Sequence, residues 1–415
     1  MSLDAPPRSA VRTDSPRRLD RAWSFRVVAT VIALAMLASG VLSPLYDVYQ
    51  QHWHFSTFTL TLVFAVYCGG VLASLLLLGR LSDELGRRPV LIAALCGLLA
   101  STLLFIAAQS VAWLLVARLL QGASTGAALA AAAAALIDFH PAGDDEHAGF
   151  VNGLVSGIGM ACGVLMSSLL VELAPAPRVL PFAVLLVLLA ALLAAVCALP
   201  ESVERTARPH LRPARPHVPR EARSAFVLAS LGVLASWSVL GVLLALGPKL
   251  VAELLGGGSH LAGGTVMFTT VAAATVASVA VRHVEVRRAT IGGSLVLALG
   301  MGLMAASLSS GSLALLLAAG VVAGAGFGIA FLGALRALTR VVPEHHRAET
   351  MAAFYLVAYG SNALPTLGAG VALAHFALLP TFRAFALAVG FVALAAAWAA
   401  WRAPAPPPPA VRPAR

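Results

Sequence analysis

Apolar residues in this chain come in long unbroken runs, and polar residues come in short clusters between them. The runs cover residues 27–45, 58–78, 90–108, 111–137, 149–171 and 179–199 in the first half. In the second half they cover 225–246, 264–281, 291–308, 312–335, 351–372 and 385–401. Each is close to the roughly 17–25 residues that carry a helix across a hydrocarbon layer. None alternates in pieces of about ten residues, as strands of a membrane barrel would. The pattern predicts an all-α membrane protein with twelve transmembrane helices.

The polar breaks are unequal. The stretch 200–223 carries Pro200, Pro209, Pro213, Pro216 and Pro219 among six arginines, a composition that builds no core. It divides the runs six and six, and predicts a linker between a bundle over 23–199 and a second over 224–402. Residues 1–22 are expected to form a disordered tail, and 403–415, with its run from Pro406 to Pro409, a second one. The first apolar run exceeds the about 7–15 residues of a cleaved leader, so it reads as a retained span.

Charge gives the direction. With the N-terminus inside and twelve crossings, all but four of the 28 basic residues fall in inner segments, the exceptions being Arg118, Arg178, Lys249 and Arg383. This asymmetry is the usual topogenic one, and it predicts both termini, the linker and the two tails in the cytoplasm, with the plasma membrane as the site. Composition agrees: 60% of residues are hydrophobic and 11% charged, more apolar surface than a water-soluble chain could hide. The net charge of +10 lies in short loop clusters, so the expected partners are the bilayer and a small-molecule substrate, without nucleic acid, for a monomer. Cys68, Cys96, Cys162 and Cys197 sit singly in apolar runs, and the His and Asp/Glu clusters at 140–147 and 344–349 lie in loops. No metal or cofactor site, no phosphate-binding glycine loop and no catalytic set is expected.

One break is dense in charge. Residues 79–91 read GRLSDELGRRPVL, placing Arg80, Asp83, Glu84, Arg87 and Arg88 in a short turn framed by Gly79 and Gly86. It resembles the signature loop of the major facilitator superfamily, Gly-x-Leu-x-Asp-x-x-Gly-Arg-Arg/Lys-x-x-Leu, through Gly79, Leu81, Asp83, Gly86, Arg87, Arg88 and Leu91. Arg118-Leu-Leu-Gln-Gly122, in the fourth run, is similar to that family's fourth-helix motif. Ser43-Pro44-Leu45-Tyr46 is similar to the first span of bacterial drug:proton antiporter-type members. The resemblance covers roughly 23–402. It implies two six-helix bundles working by alternating access, and a proton-coupled exporter of drug-like or amphipathic compounds. One departure stands out: 157–167 in the fifth run lacks the proline and closing glycine pair of the antiporter motif. A facilitator or symporter is therefore the alternative, and a polytopic membrane enzyme a distant one.

Within this frame the candidate residues have roles. Gly79, Asp83, Gly86, Arg87 and Arg88, with Asp138 at the end of the fourth run, are expected to form a conformational latch. Arg118 is a charge well inside an apolar run, where it costs about 2.5–3.5 kcal/mol on insertion scales, so it is expected to face a wet or protein interior. Asp47, Arg118 and Gln121 are the candidates for substrate or proton coupling. Tyr46, Asn152, Ser156, Ser236, Trp237, Thr269, Thr270, Tyr359 and Asn362 are polar residues in spans that could line a central cavity. Laying Arg287-Arg288 over Arg87-Arg88 suggests that the second half is a degraded copy of the first.

Overall fold

The structure is a computed structural model, and it describes residues 20–78, 81–203, 216–257 and 259–403. Gly79, Arg80, residues 1–19, 204–215 and 404–415 lie outside the described residues, and with them most of the expected tails and linker.

Among the described residues everything regular is helical. The first half holds α1 (Arg21–Val41), α2 (Leu45–Trp53), α3 (Thr57–Leu78), α4 (Leu81–Leu85), α5 (Arg87–Ile106), α6 (Val111–Asp138), α7 (Asp145–Leu173) and α8 (Leu180–Cys197). The second holds α9 (Arg223–Leu255), α10 (His260–Ala280), α11 (Val286–Ser310), α12 (Leu313–Val341), α13 (Arg347–Ala372) and α14 (Leu378–Arg402). The first apolar run is two helices, because Pro44 has no N–H to continue the ladder of α1 and instead opens α2. The first helix begins at Arg21, two residues before the expected bundle, because Asp20 accepts a hydrogen bond from the Trp23 N–H and caps it.

Eleven of the described helices are both long and apolar enough to cross a membrane. The twelfth long helix is α13, of 26 residues, whose apolar character is diluted by Tyr355, Tyr359, Ser361, Asn362, Pro365 and Thr366. Its place in the fold explains that tolerance: it packs between α9 and α3, facing protein more than lipid.

The packing repeats from half to half. In the first, α3 lies on α6, α1 on α7, and α5 on α6 and α8. In the second, α10 lies on α12, α9 on α13, and α11 on α12 and α14. Each pair in one bundle thus has a counterpart in the other. The halves meet where α3 touches α13 and α7 touches α10, a crossed arrangement expected of duplicated units facing each other. The described end of the linker is docked: the His217 N–H donates to the Glu349 carbonyl at 3.3 Å, and the Thr350 hydroxyl donates to the His217 carbonyl at 3.2 Å.

Candidate functional site

Three polar sites punctuate the apolar fold: a charged clasp at the linker end, a buried arginine in the first half, and a set of hydrogen bonds between the halves at the far end.

The clasp is built on the turn into α5. Gly86 has φ +95°, a conformation that side chains resist, and a Cβ there would fall 2.5 Å from a carboxylate oxygen of Glu201. Glu201 uses that space to accept from the Arg87 N–H at 2.7 Å and the Arg88 N–H at 3.2 Å, satisfying two orphan donors of α5 and its positive end. The Arg87 side chain, 12% exposed, donates from Nε to Asp138 at 3.0 Å and from Nη1 to Ser82 at 2.9 Å, and pairs with Asp83. The Ser202 hydroxyl donates to the same Asp138 oxygen at 2.9 Å. Arg88 donates to the Cys197 carbonyl, closing the C-terminal end of α8, while its Nε is buried without a partner.

The expected grouping of Asp83, Gly86, Arg87, Arg88 and Asp138 is therefore brought together. The geometry differs from the expected latch in one respect. Asp83 is half exposed in the first turn of α4 and pairs with Arg87 of its own turn. The partners named for Arg87 and Asp138 come from the first half and the start of the linker. The Glu201 and Ser202 contributions are not evident from sequence, because both follow the sixth span, 114 residues from Arg87 and 64 from Asp138 respectively.

Arg118 is only 1% exposed and is the largest fully buried side chain among the described residues. Its Nε donates to the Tyr46 hydroxyl at 3.1 Å, Nη2 reaches the same oxygen, and Nη1 donates to Gln121 Oε1 at 2.6 Å. Gln121 in turn donates to the Ala38 carbonyl at 2.9 Å. The guanidinium also lies 5.3 Å from the Tyr46 ring centre and 5.0 Å from that of Tyr67. Two ring quadrupoles and neutral oxygens stabilise it, and no carboxylate pairs with it among the described residues. The expected partner, Asp47, is elsewhere: half-buried on α2, it accepts from Gln51 at 2.9 Å. Pro44 places Tyr46 rather than Asp47 on the inward face of α2. Tyr67, whose hydroxyl shares a 2.7 Å hydrogen bond with Ser39, is a member that no motif signals.

The remaining expected cavity residues separate. Ser236 and Thr270 are buried and return their hydroxyls to the Gly232 and Val266 carbonyls of their own helices, at 2.7 Å each. Thr269 likewise donates to the Thr265 carbonyl at 2.8 Å, and Ser156 to the Asn152 carbonyl at 2.7 Å. Trp237, Tyr359 and Asn362 do gather, with the Trp237 and Tyr359 rings edge to face at 5.0 Å.

At the far end the halves are tied by hydrogen bonds. The Ser43 hydroxyl donates to the Leu244 carbonyl at 2.6 Å. Lys249 Nζ donates to Thr57 Oγ1 at 2.9 Å and to Gln50 Oε1 at 3.5 Å. Glu172, at the end of α7, accepts from the His260 N–H at 2.9 Å and the Leu261 N–H at 3.4 Å, capping α10 of the opposite half. One turn further in, a Cβ at Gly264 would fall 1.8 Å from Ser168 Oγ, so the backbones there approach as closely as glycine permits. Lys249 is the chain's single lysine.

Two helical bundles related by duplication, meeting across a crossed interface and tied at one end, define a polytopic membrane transporter. Residues 28–357 match the sequence pattern of the Major Facilitator Superfamily, and the chain belongs to that family. It is 34% identical over 166 residues to the puromycin resistance protein pur8 of Streptomyces alboniger, a match spanning 40% of this chain and 32% of that protein. It is 35% identical over 99 residues to the class H tetracycline resistance protein of Pasteurella multocida, spanning 24% of each. These matches thus cover about a third or less of the curated relatives' lengths. The solved structure of the human organic anion transporter MFSD10 (TETRAN) superposes with a TM-score of 0.66 at 16% identity, over 92% of this chain and 100% of that one, a likeness of fold.

Proposed function

We propose that the protein is a secondary active exporter of small drug-like or amphipathic compounds, driven by protons and working by alternating access in the plasma membrane, with both termini in the cytoplasm. The observation that carries this is where the hydrogen bonds joining the halves lie: among the described residues they gather at the end opposite the linker, while at the linker end the halves touch through the Arg282 guanidinium over the Phe150 ring at 4.7 Å. With the linker inside, this is a conformation closed to the exterior. The partial similarity to puromycin and tetracycline resistance proteins supports drug-like cargo.

Proton drive requires a carboxylate whose protonation changes how the halves hold each other. Glu172 does so directly, since a neutral carboxyl loses most of its attraction for the α10 N-terminus. Asp47 acts through its neighbour Tyr46, which holds Arg118. The clasp of Asp83, Arg87 and Asp138, with Gly79, Gly86 and Arg88, is the proposed latch. It stiffens the linker end of the first half so that it moves as one body.

The test is transport of puromycin and tetracycline in vesicles with an imposed pH gradient. Movement accelerated by the gradient and slowed in Glu172→Gln is the expected outcome. Rates that ignore the gradient would exclude proton drive and favour the facilitator alternative that the missing antiporter motif of α7 suggests. No movement of either compound would sink the drug-export reading.

A further inference from the structure

At the linker end, one run of rings leads from the first half to the second. The Phe25 ring of α1 meets that of His140 edge-on at 5.3 Å, and His140 meets His147 at 5.2 Å. His147 meets Phe150, one turn along α7, at 6.2 Å. The Arg282 guanidinium of the second half then lies 4.7 Å from the Phe150 ring centre. The run therefore ends on a ring face that attracts a cation.

Both sides of this contact are aimed by an uncharged histidine. His140, only 7% exposed, organises the turn before α7. Its carbonyl accepts from the Gly143 N–H at 3.2 Å, and its Nδ1 accepts from the Asp144 N–H at 3.0 Å. Asp144 then caps α7 by accepting from the His147 N–H at 2.9 Å, which sets the turn that carries His147 and Phe150. On the other side, between α10 and α11, His283 Nε2 accepts from Arg282 Nε at 2.8 Å and holds the guanidinium. A ring nitrogen that accepts carries no proton; once protonated it becomes a donor and repels the group it held.

The other charges nearby belong to groups that keep their state while imidazoles titrate. Asp145 and Glu146 stand beside Asp144 in the first turn of α7, and Glu146 is within electrostatic reach of Arg336, one turn from Arg340 on α12. Arg21 of α1 donates to the Asp138 carbonyl at the end of α6, and Glu285 pairs with Arg288 at the start of α11. Carboxylates and guanidinium groups stay charged between about pH 5.5 and 7.5, the range in which imidazoles take up a proton.

We propose that the Phe150–Arg282 contact is an acid-released strut across the cytoplasmic mouth of the interface, with His140 and His283 as its proton sensors. On acidification, a proton on His140 breaks the turn that positions α7, and a proton on His283 turns the guanidinium away. The mouth between α7 and α10 then widens, and neutral histidines restore the contact as pH rises. The proposal rests on the alternating-access reading above, since it takes the linker end as the cytoplasmic one.

Spin labels on Gly149→Cys and Val284→Cys, with the four native cysteines replaced by alanine, report the distance across this mouth in the full chain in nanodiscs. A Cβ at Gly149 meets open space and Val284 is exposed, so neither label displaces a member of the strut. From about pH 7.5 to 5.5 the ratio of short to long distances is expected to fall about tenfold. His140→Asn and His283→Gln each offer an accepting oxygen that does not titrate. Either alone should remove part of the response, and together they should hold the short distance at both pH values. Phe150→Leu keeps bulk without the ring face, and should lower the ratio about two- to fivefold at the higher pH. A distance that ignores pH, or a shift as large in the double variant as in the parent chain, would overturn the proposal. So would loss of the response in Glu172→Gln, which would assign the proton to the far end. The measurement needs neither cargo nor a gradient, so absence of transport in vesicles leaves the strut standing, and failure of the strut leaves transport untouched.

Discussion

The two halves share one scaffold and carry different chemistry at the linker end. In the first, Arg87 opens α5 and binds Asp83, Ser82 and Asp138. In the second, the residue that opens α11 is Val286, only 6% exposed, and the N-cap position of Gly86 is taken by Glu285. What persists is the next arginine: Arg287 donates to the Trp401 and Ala400 carbonyls at the end of α14, as Arg88 donates to Cys197 at the end of α8. The structural equivalence is thus Arg88 with Arg287, one residue away from the register that overlaying the two Arg-Arg pairs suggests. A scaffold that packs without the ion cluster in one half does not require it for packing in the other. The difference teaches that the arginine closing a helix end belongs to the fold, and that the clasp is an addition to it.

The sharpest way to break this comparison is Arg87→Ala. It leaves Asp138 without its cation and should cost about 2–3 kcal/mol, read as a drop of several degrees in the melting temperature together with a large fall in transport. Removing the arginine that the second half retains, Arg287→Ala, takes away hydrogen bonds to partly exposed carbonyls and should cost about 1 kcal/mol in melting, with transport largely kept. If the two variants behave alike, the clasp is only another helix-end contact.

A smaller contrast lies in the acids. Glu201→Gln keeps the shape but weakens the cap on α5, an effect of about 1 kcal/mol in the same assay. Glu285→Gln should be silent, because its ion pair with Arg288 is exposed on both sides, at 56% and 82%. The smallest effect concerns pH. Asp144 accepts from the His147 N–H at 2.9 Å at the start of α7, and that hydrogen bond holds its carboxyl below the usual value. A depressed carboxylate contributes above its unfolded-state pKa and loses the contribution as pH falls through the folded value. The protection of amides in the first turn of α7, measured against their intrinsic exchange rate at each pH, should therefore fall on acidification, while the start of α13, where His346 offers no side-chain cap, should not respond in this way.

Legibility varied with the range of the interaction. Helix positions, the six-and-six division and the interior character of Arg118 follow from local composition, because lipid penalises each exposed polar group where it stands. The signature loop placed Asp83, Arg87 and Asp138 together because the turn and the helix end are both marked by charge. The partner of Arg118 was not legible. Tyr46 and Asp47 are neighbours in sequence, and which of them faces inward depends on how Pro44 sets α2 against α1. Ser236 and Thr270 look like cavity residues in sequence, yet each bonds to its own helix, a choice set by the neighbour that covers it.

By itself the sequence determined that this chain lives in a bilayer, that it is built of long apolar helices and which family it joins. Each of these is written in composition and short motifs, and each is enforced residue by residue by the solvent. Only the tertiary structure decided that Glu201 crowns α5, that Glu172 and Lys249 tie the halves at the far end, and that Trp237 and Asn362 are left with unmet hydrogen-bonding atoms. Those contacts join residues tens to hundreds of positions apart, and their energies depend on distances of a few tenths of an ångström that periodicity does not encode.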